Sequence, residues 1–173
     1  SGSQADEIHS HGPQTSHVHG SAALNLVTDG AVIHIELISP AANLVGFEHA
    51  PVSEAEHAAR KNALSTLENA DRLFRFNKSA NCRTVQVEIV SESTPAGQEA
   101  LGHHAADDEH ADKGHSDITA MYRFTCDAPG KLDTLHVGLF DAFPAIEDVN
   151  VQYITDDRQG AATLNGGETD LAF

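Results

Sequence analysis

Apolar and polar residues alternate along much of this chain, and that period of two predicts a sheet. The pattern begins near Gly20. Ala22-Ala23-Leu24-Asn25-Leu26-Val27-Thr28 and Ala31-Val32-Ile33-His34-Ile35-Glu36-Leu37-Ile38 flank Asp29-Gly30, and Asp-Gly between two such runs is a strong hairpin signal. With Asp29 and Gly30 as the central turn residues, Leu26 pairs with Ile33, Leu24 with Ile35 and Ala22 with Leu37. The opposite face then sets His34 against Asn25 and Glu36 against Ala23, and should be the wetter one.

An irregular stretch over 41–51 separates this hairpin from a change of period. Ser53 and Glu56 make a capping box, after which Ala55, Ala59, Ala63, Leu67, Ala70 and Phe74 recur at three- and four-residue spacing, predicting a helix over about 53–75. Strand patterns return at Thr84–Val90 and Ile118–Thr125. Paired as a hairpin with Ser91 beside Asp117, these runs also bring Cys82 beside Cys126, the placement a cross-strand disulfide needs. The same register turns Val85, Val87 and Ile89 toward Arg123, Met121 and Thr119 instead of Phe124, Tyr122 and Ala120. A one-residue bulge near Asn81–Arg83 reconciles the two. Three more strands are expected at Thr134–Phe140, Val149–Thr155 and Ala161–Leu164, with His136 turned away from Leu135, Val137 and Leu139.

The expected fold class is α+β: a mostly antiparallel sheet, one long helix packed on it, and a disordered histidine-rich loop. Residues 1–18 read as a flexible arm, and 19–173 as a single domain with a mobile insert at about 95–116. Ser1-Gly2-Ser3 reads as a remnant of cloning ahead of a mature N-terminus.

Charge narrows the partners. Ten basic residues stand against 26 acidic ones, a formal net of −16, which repels nucleic acid and anionic membrane surfaces. No apolar run approaches the roughly 20 residues of a membrane span. Cations are the natural partners. The two cysteines have no C-x-x-C spacing and form either one disulfide or two buried thiols, the bridge being the rule in a secreted chain.

The twelve histidines sharpen the picture. His9, His11, His17 and His19 fall within residues 9–19, and His103, His104, His110 and His115 within 103–115, where Asp107, Asp108, Glu109, Asp112 and the following Asp117 add oxygen donors. An expression tag would be a terminal run of consecutive histidines, and this cluster is internal and interspersed. In His17-Val18-His19, two imidazoles two residues apart on an extended chain project to one side and can reach one ion, but a strong zinc site needs three or four ligands. Glu48-His49 is the best candidate partner. His57 is a weaker one, equally well read as an exposed helix residue beside Glu54 and Lys61. His34 lies roughly 20 Å from His19 at strand rise, so any metal it binds belongs to a second site, with Glu36 and His136, or it is simply solvated.

Catalytic signatures are missing: there is no H-E-x-x-H helix, phosphate-binding glycine loop or G-x-S-x-G elbow, so the expectation is a binding protein and not an enzyme. A metal-dependent hydrolase with dispersed His and Glu ligands is the alternative. Copper or nickel buffering is another, since both metals accept the same donors.

His17-Val18-His19-Gly20, the hairpin after it, Leu44-Val45-Gly46-Phe47-Glu48-His49-Ala50-Pro51 before an alanine-rich helix, Cys82, Cys126, Leu139-Phe140-Asp141-Ala142-Phe143-Pro144 and the variable insert together resemble the zinc-regulated periplasmic zinc-binding proteins of the ZrgA family. The likeness runs from about residue 16 nearly to the end. It implies a Gram-negative periplasmic location, zinc as the bound metal and a contribution to zinc acquisition, with His17, His19, Glu48 and His49 carried over as family positions. From the spacing of the residues, apart from the resemblance, an ordered site is expected to combine His17, His19 and His49 with Glu48 or His57. The insert would capture zinc and pass it to that site, to a zinc ABC transporter or to the transporter's binding protein.

Overall fold

In a computed structural model, which describes residues 18–93 and 116–173, the first hairpin turns one residue later than expected. Strands β1 (Ser21–Asp29) and β2 (Val32–Pro40) flank Gly30-Ala31, with Asp29 opposite Val32. The reason is the backbone. Gly30 has φ +58°, whereas neither Asp29 nor Ala31 has positive φ, so the glycine takes the first central position of a type II′ turn. Leu26 therefore pairs with Ile35 and Leu24 with Leu37, two positions from the expected register, and His34 faces Val27 while Glu36 faces Asn25. A slip of two keeps every side chain on its expected face. Leu24, Leu26, Ile33, Ile35 and Leu37 are all buried.

The irregular stretch contains a short helix, α1 (Ala41–Val45). Ser53 then caps α2 (Glu54–Glu68) through the expected capping box, but the helix does not run to 75. Asn69 breaks it, its side chain accepting from the Arg72 N–H to start a separate turn, α3 (Ala70–Leu73). The chain then extends into β3 (Phe74–Phe76). Ala63, Leu67, Ala70 and Phe74 are buried as the stripe required, while Ala55 is exposed.

Strands β4 (Cys82–Ser93) and β5 (Ser116–Cys126) form the second hairpin, closed by a Cys82–Cys126 disulfide. Its bulge falls between Thr84 and Gln86, beyond the expected Asn81–Arg83. Val85 is the extra residue, half exposed, so Thr84 takes its expected place opposite Phe124, and Ser91 pairs with Ile118, not with Asp117. Val87 and Ile89 meet Tyr122 and Ala120 as the bulge demands.

The expected Thr134–Phe140 strand is shorter. Strand β6 is Thr134–Val137; the Gly138 N–H makes one further bond in register with β3, to the Leu73 carbonyl, before its backbone leaves the extended conformation (φ −88°, ψ 13°) and Leu139 opens a helical turn, α4 (Leu139–Ala142). Strands β7 (Asp148–Ile154), β8 (Gln159–Asn165) and β9 (Asp170–Ala172) complete the chain. One sheet has the order β4-β5-β2-β1-β7-β8, antiparallel except where β1 meets β7, and a second has the order β3-β6-β9.

One face of the large sheet, the small sheet and the helices enclose a single apolar cluster. Phe74 and Phe76 of β3 meet Tyr122 and Phe124 of β5 edge-on, at 4.9 and 5.1 Å between ring centres. The Tyr122 hydroxyl donates to the Leu67 carbonyl oxygen at 2.6 Å, latching α2 to the sheet, and burial pushes its pKa upward. No described helix is long and apolar enough to cross a membrane.

Candidate metal centre

The end of the large sheet where β1 begins carries the candidate chemistry. His19 immediately precedes Gly20, which turns the chain into β1 with φ +90° and donates its N–H to Asn43 Oδ1 of α1 at 2.9 Å. Three residues beyond α1 lies Glu48, whose Oε1 sits 3.7 Å from His19 Nε2. Adjacent donors on a tetrahedral zinc with bonds of 2.0–2.1 Å lie roughly 3.3 Å apart. The pair is thus close to the spacing one ion requires. His19 is largely exposed and Glu48 half-buried, with 66% and 15% of their side-chain surfaces accessible, so an ion could enter from the His19 side.

Glu48 also touches the root of the insert. The Ser116 hydroxyl donates to the Glu48 carbonyl oxygen at 2.8 Å, and Ser116 is the first described residue after the histidine-rich segment. His19 and Ser116 therefore both meet Glu48.

His49 is held differently. Its Nε2 lies 2.9 Å from Glu56 Oε1, while Glu56 Oε2 accepts the N–H groups of Val52 and Ser53. Backbone donation from Val52, then the His49 and Ser53 hydrogen bonds, hold the Glu56 carboxyl down at about 2. His49 also leans on the Phe47 ring at 4.9 Å. With Nε2 occupied by the carboxylate, Nδ1 is the nitrogen left for a metal, the usual division of labour in a carboxylate-oriented ligand.

The remaining candidates are dispersed. His57 is exposed on α2. His34 projects from β2 between Val27 and Arg123, while His136 lies in the other sheet, opposite Arg75 and 2.6 Å from Asp170 Oδ1. Glu36 accepts from Asn25 Nδ2. His34 and Glu36 share one face of β2, and His136 lies in the other sheet. His17, His103, His104, His110 and His115 fall outside the described residues, and among the described residues no three His, Cys, Asp or Glu side chains are grouped closely enough to hold an ion.

Sequence reasoning missed three positioning residues: Asn43, Ser116 and, beyond its role in the cap, Glu56. Only the capping box left a local trace, since the other two act on residues distant along the chain.

The fold and this pair define a β-rich α+β protein with a histidine–carboxylate pair at one sheet end. Residues 16–173 match the family described as ZrgA family zinc uptake protein, so the chain belongs to that family and zinc uptake is its setting. No curated protein matches it.

Proposed function

We propose that this protein captures zinc in the periplasm and supplies it for uptake, using an ordered site and a second set of ligands on the insert. The single observation that carries the reading is the 3.7 Å approach of His19 Nε2 to Glu48 Oε1, at a residue whose backbone also bonds the start of β5 at Ser116. His17 supplies a third ligand from two residues upstream. His49, which Glu56 holds apart from the pair among the described residues, joins through Nδ1 only when metal binds.

The insert histidines His103, His104, His110 and His115 act as the capture set. Four histidines interspersed with Asp107, Asp108, Glu109 and Asp112 offer several interchangeable ligand sets, which suits transfer to the ordered site and on to a zinc ABC transporter or its binding protein. A disulfide between Cys82 and Cys126 supports an oxidising compartment. His34, His57 and His136 contribute at most weak, separate binding in this scheme.

Isothermal titration of the full chain with zinc, with and without the four insert histidines replaced by alanine, tests the division. The replacement should lower stoichiometry and slow delivery to an acceptor chelator while leaving the tightest event in place. Unchanged stoichiometry and transfer would remove the capture role, and loss of the tightest event would move the principal site to the insert.

A further inference from the structure

Most polar groups in the described interior belong to the backbone, yet Ser39 and Asn43 are buried to within 0% and 4% of full coverage and lie side by side. A polar amide in an apolar interior is kept at a cost unless each group is matched. The Asn43 side chain is matched on both ends. Its Oδ1 accepts from the Gly20 N–H at 2.9 Å, and its Nδ2 donates to the Ser21 carbonyl oxygen at 3.0 Å and to Ser39 Oγ at 3.3 Å.

Those two backbone partners directly follow His19. The same short stretch is gripped from the other side, since the Gly20 carbonyl accepts from the N–H groups of Glu147 and Asp148 at 2.7 and 3.1 Å. Its turn is closed locally by the Ser21 N–H on the Val18 carbonyl. Gly20 itself stands at φ +90°, and a Cβ there would press to 3.1 Å from the Glu147 carboxylate. The backbone that presents His19 is therefore held from both sides at Gly20 and Ser21.

Asn43 also belongs to α1, the element that ends three residues before Glu48. One buried amide thus joins the two chain segments, 23 residues apart at the Gly20 contact, that bring His19 and Glu48 together. We infer that Asn43 is a positioning residue for zinc: it fixes the separation of the His19 imidazole and the Glu48 carboxylate and so sets the affinity of the site, without touching the ion. This rests on the reading of His19 and Glu48 as ligands given above. Side chains that orient ligands from outside the coordination sphere change metal affinity by roughly 10–100-fold when removed.

The test uses the full chain with the four insert histidines replaced by alanine, so that one site is read. Zinc dissociation constants are measured by chelator competition at a temperature where every variant is folded, alongside thermal midpoints. Asn43→Ala should weaken zinc binding by about tenfold or more. Leu67→Ala, a core truncation remote from the site, should lower the midpoint and leave the dissociation constant unchanged. Asn43→Asp keeps an acceptor for Gly20 but loses the donor to Ser21, and should fall between wild type and Asn43→Ala.

A double mutant separates the alternatives. If Asn43 acts through His19, adding Asn43→Ala to His19→Ala produces little further loss of affinity. An Asn43→Ala protein that is less stable but binds zinc as tightly as its parent overturns the inference, provided His19→Ala weakens binding. If His19→Ala itself leaves affinity unchanged, the ligand reading fails first and the inference with it.

Discussion

The Ser116 hydroxyl donates to the Glu48 carbonyl oxygen at 2.8 Å, across 68 residues of sequence. This bond ties the strand that leaves the histidine-rich insert to the loop that carries a candidate zinc ligand. Ser116→Ala would remove this hydrogen bond from a part-buried carbonyl. We expect a loss of about 1 kcal/mol in urea unfolding, the usual net value of such a bond.

Glu48→Gln keeps the size of the side chain and removes its charge. Zinc held by a neutral amide oxygen in place of a carboxylate should bind at least about tenfold more weakly, with little change in thermal stability in the absence of metal. Competition against a chelator reads the first quantity and a melting curve the second. Equal affinity in both proteins would take Glu48 out of the coordination sphere.

Zinc binding requires neutral imidazole, and free imidazole titrates near 6.5. Affinity should therefore fall steadily as the pH is lowered from about 7 to 5.5 in a titration series. A flat profile would contradict histidine ligation.

Glu56 makes a separate prediction in acid. Its carboxyl is held at about 2 against an ordinary 4.5, so protons bind the unfolded chain first. Its contribution is fully present above 4.5 and is lost as the pH falls toward 2. Over that window the urea midpoint of the wild type should drop more steeply than that of Glu56→Gln. Parallel curves would show that the His49 and backbone contacts do not persist in solution.

Much of the fold could be read from the sequence because its signals are local. Alternation marked β1, β2, β5 and β7, the Ser53 and Glu56 pair marked the start of α2, and the cysteine spacing matched a hairpin. The misses have physical causes. A single φ at Gly30 moved the turn, and Asn69 ended α2 although Ala70, Leu73 and Phe74 continued its apolar rhythm into other elements. Strands β3 and β9, three residues each, are too short to show a period. At the site, the resemblance and local spacing both pointed to His19 and Glu48. Their closeness depends on Asn43 and on the turn after α1, which no local pattern encodes.

The disulfide closes a chain segment with a sequence separation of 44 at the end of the hairpin away from the insert. Replacing both cysteines by alanine should cost about 3–4 kcal/mol by the chain-entropy estimate for a loop of that length. Zinc affinity of the folded fraction should be unaltered, because His19 and Glu48 are positioned by α1 and β1. Denaturant titration with and without zinc reads both.

The central claim is that one zinc ion is shared by His19 and Glu48, and anomalous diffraction at the zinc edge from zinc-loaded crystals tests it most directly. The account predicts a strong peak at roughly 2.0–2.2 Å from His19 Nε2 and from a Glu48 carboxylate oxygen, completed by further histidine nitrogen. Strong peaks confined to other histidines, with none between this pair, would contradict it.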